Sequence, residues 1–184
     1  MLATSILCAP IVTFSPVLVR DVFRSNAGRF SVAVASFGVG GLLGAGGLLG
    51  IAASVDRRRL SAAFALAYGV VLVLTALNPW FWGLPPLLVL AGASMTISNT
   101  SANSLLQATA NPLLLGQTVS LYMLAVRGGS SIGSLVTGAT VSLLGVQHAF
   151  LLNGLAALVV QAVIARMWLR SPSPIINVTR PTAT

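Results

Sequence analysis

Six long apolar stretches follow one another along this chain, and almost every charged residue lies between them or at their ends. A helix that crosses the hydrocarbon core of a bilayer needs about 20 predominantly apolar residues. Only 7% of the 184 residues are charged, whereas soluble domains carry about 25%. The chain has too few polar side chains to cover a soluble core, which excludes a soluble globular domain. We predict an all-α membrane protein with six transmembrane helices.

Charged and turn residues between the stretches set the predicted bounds of the spans. The spans cover about residues 2–19, 30–55, 60–77, 84–107, 118–144 and 149–169, and together they form one bundle at 1–169. Pro10 and Pro16 interrupt the first span, where neighbouring helices can satisfy the freed carbonyl groups. Residues 170–184 are rich in proline, serine and threonine, and we predict a disordered cytoplasmic tail there.

The charges are almost all positive, with ten arginines, two aspartates and a formal charge of +8. In a membrane protein such arginines fix orientation at helix ends, so we predict a lipid bilayer and no nucleic acid as partner. Six arginines fall on the side of residues 57–59 and the C-terminal tail, against three on the other. Cytoplasmic loops carry the arginine excess. We therefore expect a multi-pass protein of the cytoplasmic (inner) membrane with both termini in the cytoplasm.

The fourth span carries a row of polar side chains. Thr96, Asn99, Asn103 and Gln107 are spaced three, four and four residues apart, which places them on one stripe of a helix. Thr100 flanks the stripe. Amides that face lipid are costly, so these residues face other helices or a wet cavity. One interpretation is hydrogen bonding between helices, worth about 0.6 kcal/mol per contact on average; the other is a pathway lined by water or substrate.

Glycines four residues apart indicate close helix packing. Gly40 and Gly44 share one face of the second span, and Gly129 and Gly133 share one face of the fifth. Small residues let helix backbones approach closely in lipid. Such faces serve either static packing or the rocking of bundles that alternating access requires.

Arg127 is the one charged residue that falls inside a predicted span away from its ends, whereas Arg166 lies at the end of the sixth span. An arginine at the centre of a bilayer costs about 2.5–3.5 kcal/mol even on the most lenient scale. Either its side chain extends to the cytoplasmic headgroups, or it makes a gating contact at an interface between bundles. No acidic residue falls inside a span, so Asp56 or another chain would have to neutralise it.

The sequence contains none of the residue patterns that would favour an enzyme. It contains no histidine, cysteine and carboxylate cluster for a metal and no lysine for a phosphate-binding loop, so we predict no catalytic residue, metal or cofactor. The distant alternative is an intramembrane serine protease similar to the rhomboids. Ser94 in Gly92-Ala93-Ser94 and His148 would then be the nucleophile and base, but the expected second glycine is missing and the two residues fall at different depths.

Three stretches resemble the C-terminal half of a major facilitator superfamily transporter, closest to the bacterial exporters related to the enterobactin exporter, the transmembrane secretion effectors. They are Asn103-Ser104-Leu105-Leu106-Gln107 with the following Ser120–Gly129 helix segment, the glycine-rich second span ending in Asp56-Arg57-Arg58-Arg59, and the first span with its prolines. The connector that carries two arginines in these exporters reads Leu115-Gly116-Gln117-Thr118-Val119 here.

The resemblance implies half of an exporter that moves small amphipathic solutes, such as drugs or siderophores, by alternating access. Thr96, Asn99, Thr100, Asn103 and Gln107 would line the pathway of this small-molecule substrate. Arg127, Asp56 and Arg57 would form the gate and cytoplasmic latch. The substrate site of this superfamily lies between two six-helix halves, so the expected partner is a second half, on the same chain, a separate chain or a second copy. A non-transporting membrane fragment or accessory subunit is the alternative.

Overall fold

A computed structural model describes residues 27–50, 55–78 and 80–170 of the chain. In this part the chain forms five long helices, which are α1 (Ala27–Gly50), α2 (Arg57–Leu77), α3 (Leu84–Thr109), α4 (Leu115–Leu144) and α5 (Val146–Arg170). All five contain a segment long and apolar enough to cross a membrane. The described part is therefore all-helical and of the membrane type. The first predicted span, at 2–19, and the tail at 171–184 lie outside the described residues.

Four helices, α1, α2, α4 and α5, begin three residues earlier than the apolar pattern predicts. The arginines of the predicted 57–59 loop instead form the first turn of α2. Asp56 caps this turn, because its Oδ1 accepts a hydrogen bond of 2.9 Å from the backbone N–H of Arg58. A capped helix can extend past the end of its apolar run, since the side chain replaces a missing backbone partner.

Short connections join the helices. Asn78 holds the turn before α3 by accepting from the Trp80 N–H at 3.0 Å and donating to its carbonyl at 2.8 Å. A 3₁₀ helix, Phe81–Gly83, follows. Between α4 and α5 the chain reverses at Gly145, whose φ of +80° favours glycine. Such tight links keep consecutive helices antiparallel.

The bundle has two chemically different ends. We call the end with Arg57, Arg58, Arg59 and Arg166 the arginine end, and the opposite end, with Trp80 and Trp82, the tryptophan end. Both tryptophans are exposed, at 76% and 78%, as suits a membrane interface. At the same end the Arg29 guanidinium lies 5.1 Å from the centre of the Phe81 ring.

The main contacts place the helices in the order α1, α3, α2, α5, α4. The α2 helix lies in the middle, and the core around it contains Tyr68, Leu72, Leu88 and Phe150, all at most 3% exposed. The outer helices α1 and α4 expose many leucines and valines. In a membrane these surfaces contact lipid or further helices.

Candidate functional site

Glycines bring α1 and α3 into backbone contact. A Cβ on Gly40 would collide with the carbonyl of Val89, and one on Gly44 would lie 2.7 Å from the carbonyl oxygen of Ala93. From the other side, a Cβ on Gly92 would collide with the carbonyl of Phe37. The two helices run in the same direction, and glycines of each lie against backbone atoms of the other, which is the small-residue packing of membrane helices.

The predicted stripe of α3 begins at this contact and continues toward the arginine end. Thr96 Oγ1 lies 3.3 Å from the position of a Cβ on Gly41, so Thr96 faces α1. Asn99 and Asn103 are half-buried and Gln107 is exposed. Gln107 Nε2 donates to Asn103 Oδ1 at 3.2 Å. Within the described residues the Asn99 amide makes no hydrogen bond, so it is open to a ligand or water.

Thr100 lies on another side of α3. Consecutive helical residues are turned by about 100°, and Thr100 borders a cavity together with Ser104 and Arg57. The structure therefore separates Thr100 from the Asn99 and Asn103 side chains, although the five predicted pathway residues are close in sequence.

Arg127 belongs to a polar stripe of α4. Ser120, Arg127, Ser131 and Ser134 are spaced seven, four and three residues apart and share one face, on which the first three are exposed. Leu124 and Leu135, 68% and 75% exposed, lie three residues before Arg127 and four residues after Ser131, so they border this stripe. The exposed surface of α4 thus carries polar side chains beside leucines, and the polar ones favour contact with water or protein over lipid.

The stripes of α3 and α4 reach the same depth. Arg127 lies twelve residues from the start of α4 and Asn99 ten residues from the end of α3, about 18 Å and 15 Å from the arginine end. The hydroxyls of Ser130 and Ser131 donate to the Arg127 carbonyl at 2.7 and 3.1 Å. Among the described residues, the Arg127 guanidinium makes no ion pair.

The aspartate of the predicted latch is engaged within its own helix turn. Asp56 Oδ2 lies 3.6 Å from Arg59 Nε, and Oδ1 caps α2. In the part of the chain that the structure describes, Asp56 pairs with neither Arg57 nor Arg127. A latch that joins these three residues remains a prediction about another conformation of the bundle.

The helix packing also buries the glycine face of α4. Gly129, Gly133 and Thr137 are the buried residues of this helix. Thr137 Oγ1 accepts a hydrogen bond of 2.8 Å from Asn153 Nδ2 on α5. This polar contact joins α4 to α5 in the half of the bundle nearer the tryptophan end.

Ser94 and His148 are placed far apart in depth. His148 is exposed at the tryptophan end, with Nδ1 3.1 Å from the Leu144 carbonyl oxygen. Ser94 is buried ten residues into α3, about 15 Å from that end. A nucleophile and its base must lie within hydrogen-bonding reach, and these two do not. The described residues also contain no group of three histidines, cysteines or acids that could hold a metal.

Polar contacts between helices were missed by the sequence pattern. Ser61 Oγ donates to the Ser98 carbonyl at 3.1 Å, and Ser98 Oγ donates to the Ser61 carbonyl at 3.0 Å. Both serines are buried between α2 and α3. Serines are common in predicted spans, so the sequence alone does not indicate that these two lie opposite each other. That becomes visible only when the relative position of α2 and α3 is known.

The sequence profile of the transmembrane secretion effectors, a family of the major facilitator superfamily, matches residues 2–177. The chain belongs to this family. It is thus a membrane protein of a transporter family, and the five helices described here agree with that assignment. No curated protein and no solved structure matches the chain.

Proposed function

We propose that this chain is half of a major facilitator exporter that moves small amphipathic solutes across the membrane by alternating access. Its family supports transport as the general function. Transporters of this superfamily are generally not enzymes, which favours transport over the rhomboid-like alternative.

The observation that carries the proposal is the pair of polar stripes on α3 and α4. Asn99 is half-buried and Arg127 exposed, at similar depths well inside the bundle. Polar groups at such a depth are costly against lipid and mark pathways for substrates or ions. We place Thr96, Asn99, Asn103 and Gln107 along the solute pathway, with Thr100 on its flank. Arg127 acts as the gate.

A second six-helix half completes the pathway in this proposal. The polar stripe of α4 is exposed in the described bundle. A second half packed against it would shield Arg127 and the serines from lipid. The half can come from the same chain upstream, a separate chain or a second copy. If the chain is instead an accessory subunit or a non-transporting fragment, this face could still pack against another protein. The purified protein would then support no solute flux in liposomes.

Replacement of Asn99 and Asn103 by alanine tests the pathway. We expect export by the assembled transporter to fall about tenfold, which corresponds to about 1.4 kcal/mol of lost interaction with the moving solute. Ser142→Ala is the control, because this exposed polar side chain lies near the tryptophan end of α4, away from the α3 stripe. Export should be measured as solute efflux from cells with equal amounts of membrane protein. Unchanged export in the double variant would contradict the proposed pathway.

A further inference from the structure

A cavity lies at the arginine end, on the side of α3 that carries Thr100. Its volume is about 450 Å³, and its walls come from the end of α1, the start of α2 and the last turns of α3. Leu48 and Leu49 supply an apolar wall, and Arg57, Thr100 and Ser104 supply polar groups. Neither the asparagines of the proposed pathway nor Arg127 border it. The cavity thus meets the pathway only at its flank, through Thr100, and includes Arg57 of the predicted latch.

Arg57 has no acidic partner within the described residues. Asp56 is the one acidic residue in that part of the chain, and its two oxygens serve the Arg58 N–H and Arg59. Arg57 is half-buried, whereas the Arg59 side chain is 77% exposed. A guanidinium withdrawn from water gains most from an anion that accepts its hydrogen bonds. Among the residues that the structure describes, the cavity therefore presents a cation with no acidic partner.

The polar groups around Arg57 match a phosphate. A guanidinium offers several N–H donors in a planar fork, and each hydroxyl of Thr100 and Ser104 can add one more. No carboxylate among the described residues borders the cavity to repel an anion. This donor set fits a tetrahedral oxyanion with several acceptor oxygens.

The apolar wall of the cavity indicates which kind of molecule the phosphate belongs to. Leu49 is 91% exposed, and it lies beside the polar groups on the neighbouring helix. An inorganic phosphate would satisfy the donors and leave the leucines unused. A phospholipid would place its phosphate on Arg57 and an acyl chain along Leu48 and Leu49. Basic pockets between membrane helices at headgroup level are known to suit acidic lipids.

We propose that this cavity binds the headgroup phosphate of an acidic phospholipid, held by Arg57, Thr100 and Ser104, with an acyl chain against Leu48 and Leu49. The site adjoins the flank of the solute pathway at Thr100 but uses none of its asparagines, and lipid binding there does not depend on the proposed transport. Its occupant would tie the ends of α1, α2 and α3 to the membrane surface.

The test compares two arginines of the same triplet. The full chain is purified in mild detergent, mixed with phosphatidylglycerol or phosphatidylcholine, and the retained lipid is counted by native mass spectrometry. We expect the wild type to retain more phosphatidylglycerol, and Arg57→Gln to lower its affinity about tenfold, because a charge-assisted set of hydrogen bonds is lost. Arg59→Gln removes the same charge from a solvent-exposed side chain and should change affinity less than twofold.

Three results would overturn the proposal. They are no preference for phosphatidylglycerol, equal losses in the two arginine variants, and full displacement of the lipid by millimolar inorganic phosphate, which would assign the cavity to free phosphate. If Arg57→Gln does not fold, Thr100→Val with Ser104→Ala serves instead, with Arg57 intact. We expect that pair to lower the affinity about threefold, and wild-type affinity there would also count against the site.

Discussion

At the scale of single residues, Ser61 and Ser98 join α2 to α3 by two exchanged hydrogen bonds. Each hydroxyl donates to the other residue's carbonyl oxygen, at 3.1 and 3.0 Å, and both side chains are at most 7% exposed. In lipid a serine hydroxyl normally bonds to a carbonyl of its own helix, as Ser142 does with Ala139. The two hydrogen bonds between Ser61 and Ser98 instead require the backbones of two helices to lie close together, so their strength measures the α2–α3 packing.

Alanine at Ser61 or Ser98 should weaken that contact. Hydrogen bonds between membrane helices are worth about 0.6 kcal/mol on average and up to about 1.7, so we expect each variant to lower the free energy of unfolding by about that much. The measurement is unfolding of purified protein in detergent and lipid micelles. Ser142→Ala, which removes a bond within one helix, should have a smaller effect. A larger effect in the Ser142 variant would show that the exchanged bonds contribute little.

At the scale of helices, glycines determine which pairs approach closely. The α1–α3 contact uses Gly40, Gly44 and Gly92. The α2–α5 contact uses one glycine from each helix, since a Cβ on Gly69 would lie 2.9 Å from Leu158 Cδ2 and one on Gly154 would lie 2.9 Å from Val73 Cγ2. An added Cβ would meet backbone atoms at the α1–α3 contact, whereas at the α2–α5 contact its nearest neighbours are side-chain atoms, which can move. The α1–α3 contact should therefore tolerate substitution least.

Gly40→Ala and Gly38→Ala form a matched pair on α1. The methyl group of an alanine at position 40 would collide with the Val89 carbonyl, whereas nothing lies within 4 Å of a Cβ on Gly38. We expect Gly40→Ala to destabilise the bundle by about 1–3 kcal/mol, as overpacking does. Gly38→Ala should be neutral or stabilising by up to about 1 kcal/mol, because alanine favours helix. Thermal unfolding followed by tryptophan fluorescence measures both, and equal midpoints would show that the helices do not touch at Gly40.

At the scale of the whole molecule, the distribution of arginines suggests an orientation. Arg57, Arg58, Arg59 and Arg166 lie at one end of the described bundle, and the exposed tryptophans lie at the other. The excess of arginine favours the cytoplasm for the arginine end. This orientation also places the proposed phospholipid site in the leaflet where acidic lipids concentrate.

Reporter fusions at the two ends test this orientation. A reporter that is active only outside the cytoplasm should give a signal when inserted in the loop at 78–83 and none at the connector at 110–114. The two loops are of similar length and join α3 to its neighbours, so each controls for insertion at the other. A cytoplasmic signal at 78–83 would reverse the proposed topology.

Several features of the fold could be predicted from the sequence because they depend on local composition. Five of the six predicted spans correspond to described helices within a few residues, since an apolar run of this length has one stable form in a bilayer. The first span lies outside the described residues. Gly40 and Gly44 of α1 could also be assigned to packing, because a spacing of four residues places them on one face of the helix whatever the partner is.

The sequence by itself determined the class of protein, the helices and the family, because hydropathy and motif spacing are properties of a single chain segment. Only the tertiary structure decided which helices touch, and hence that Ser61 meets Ser98 and that Thr100 lies with Arg57 instead of Asn99. Those contacts depend on how helices align in space, and many alignments satisfy the same apolar pattern. The aspartate of the predicted latch shows the same limit, since the capping of α2 and Arg59 occupy Asp56 in the folded bundle.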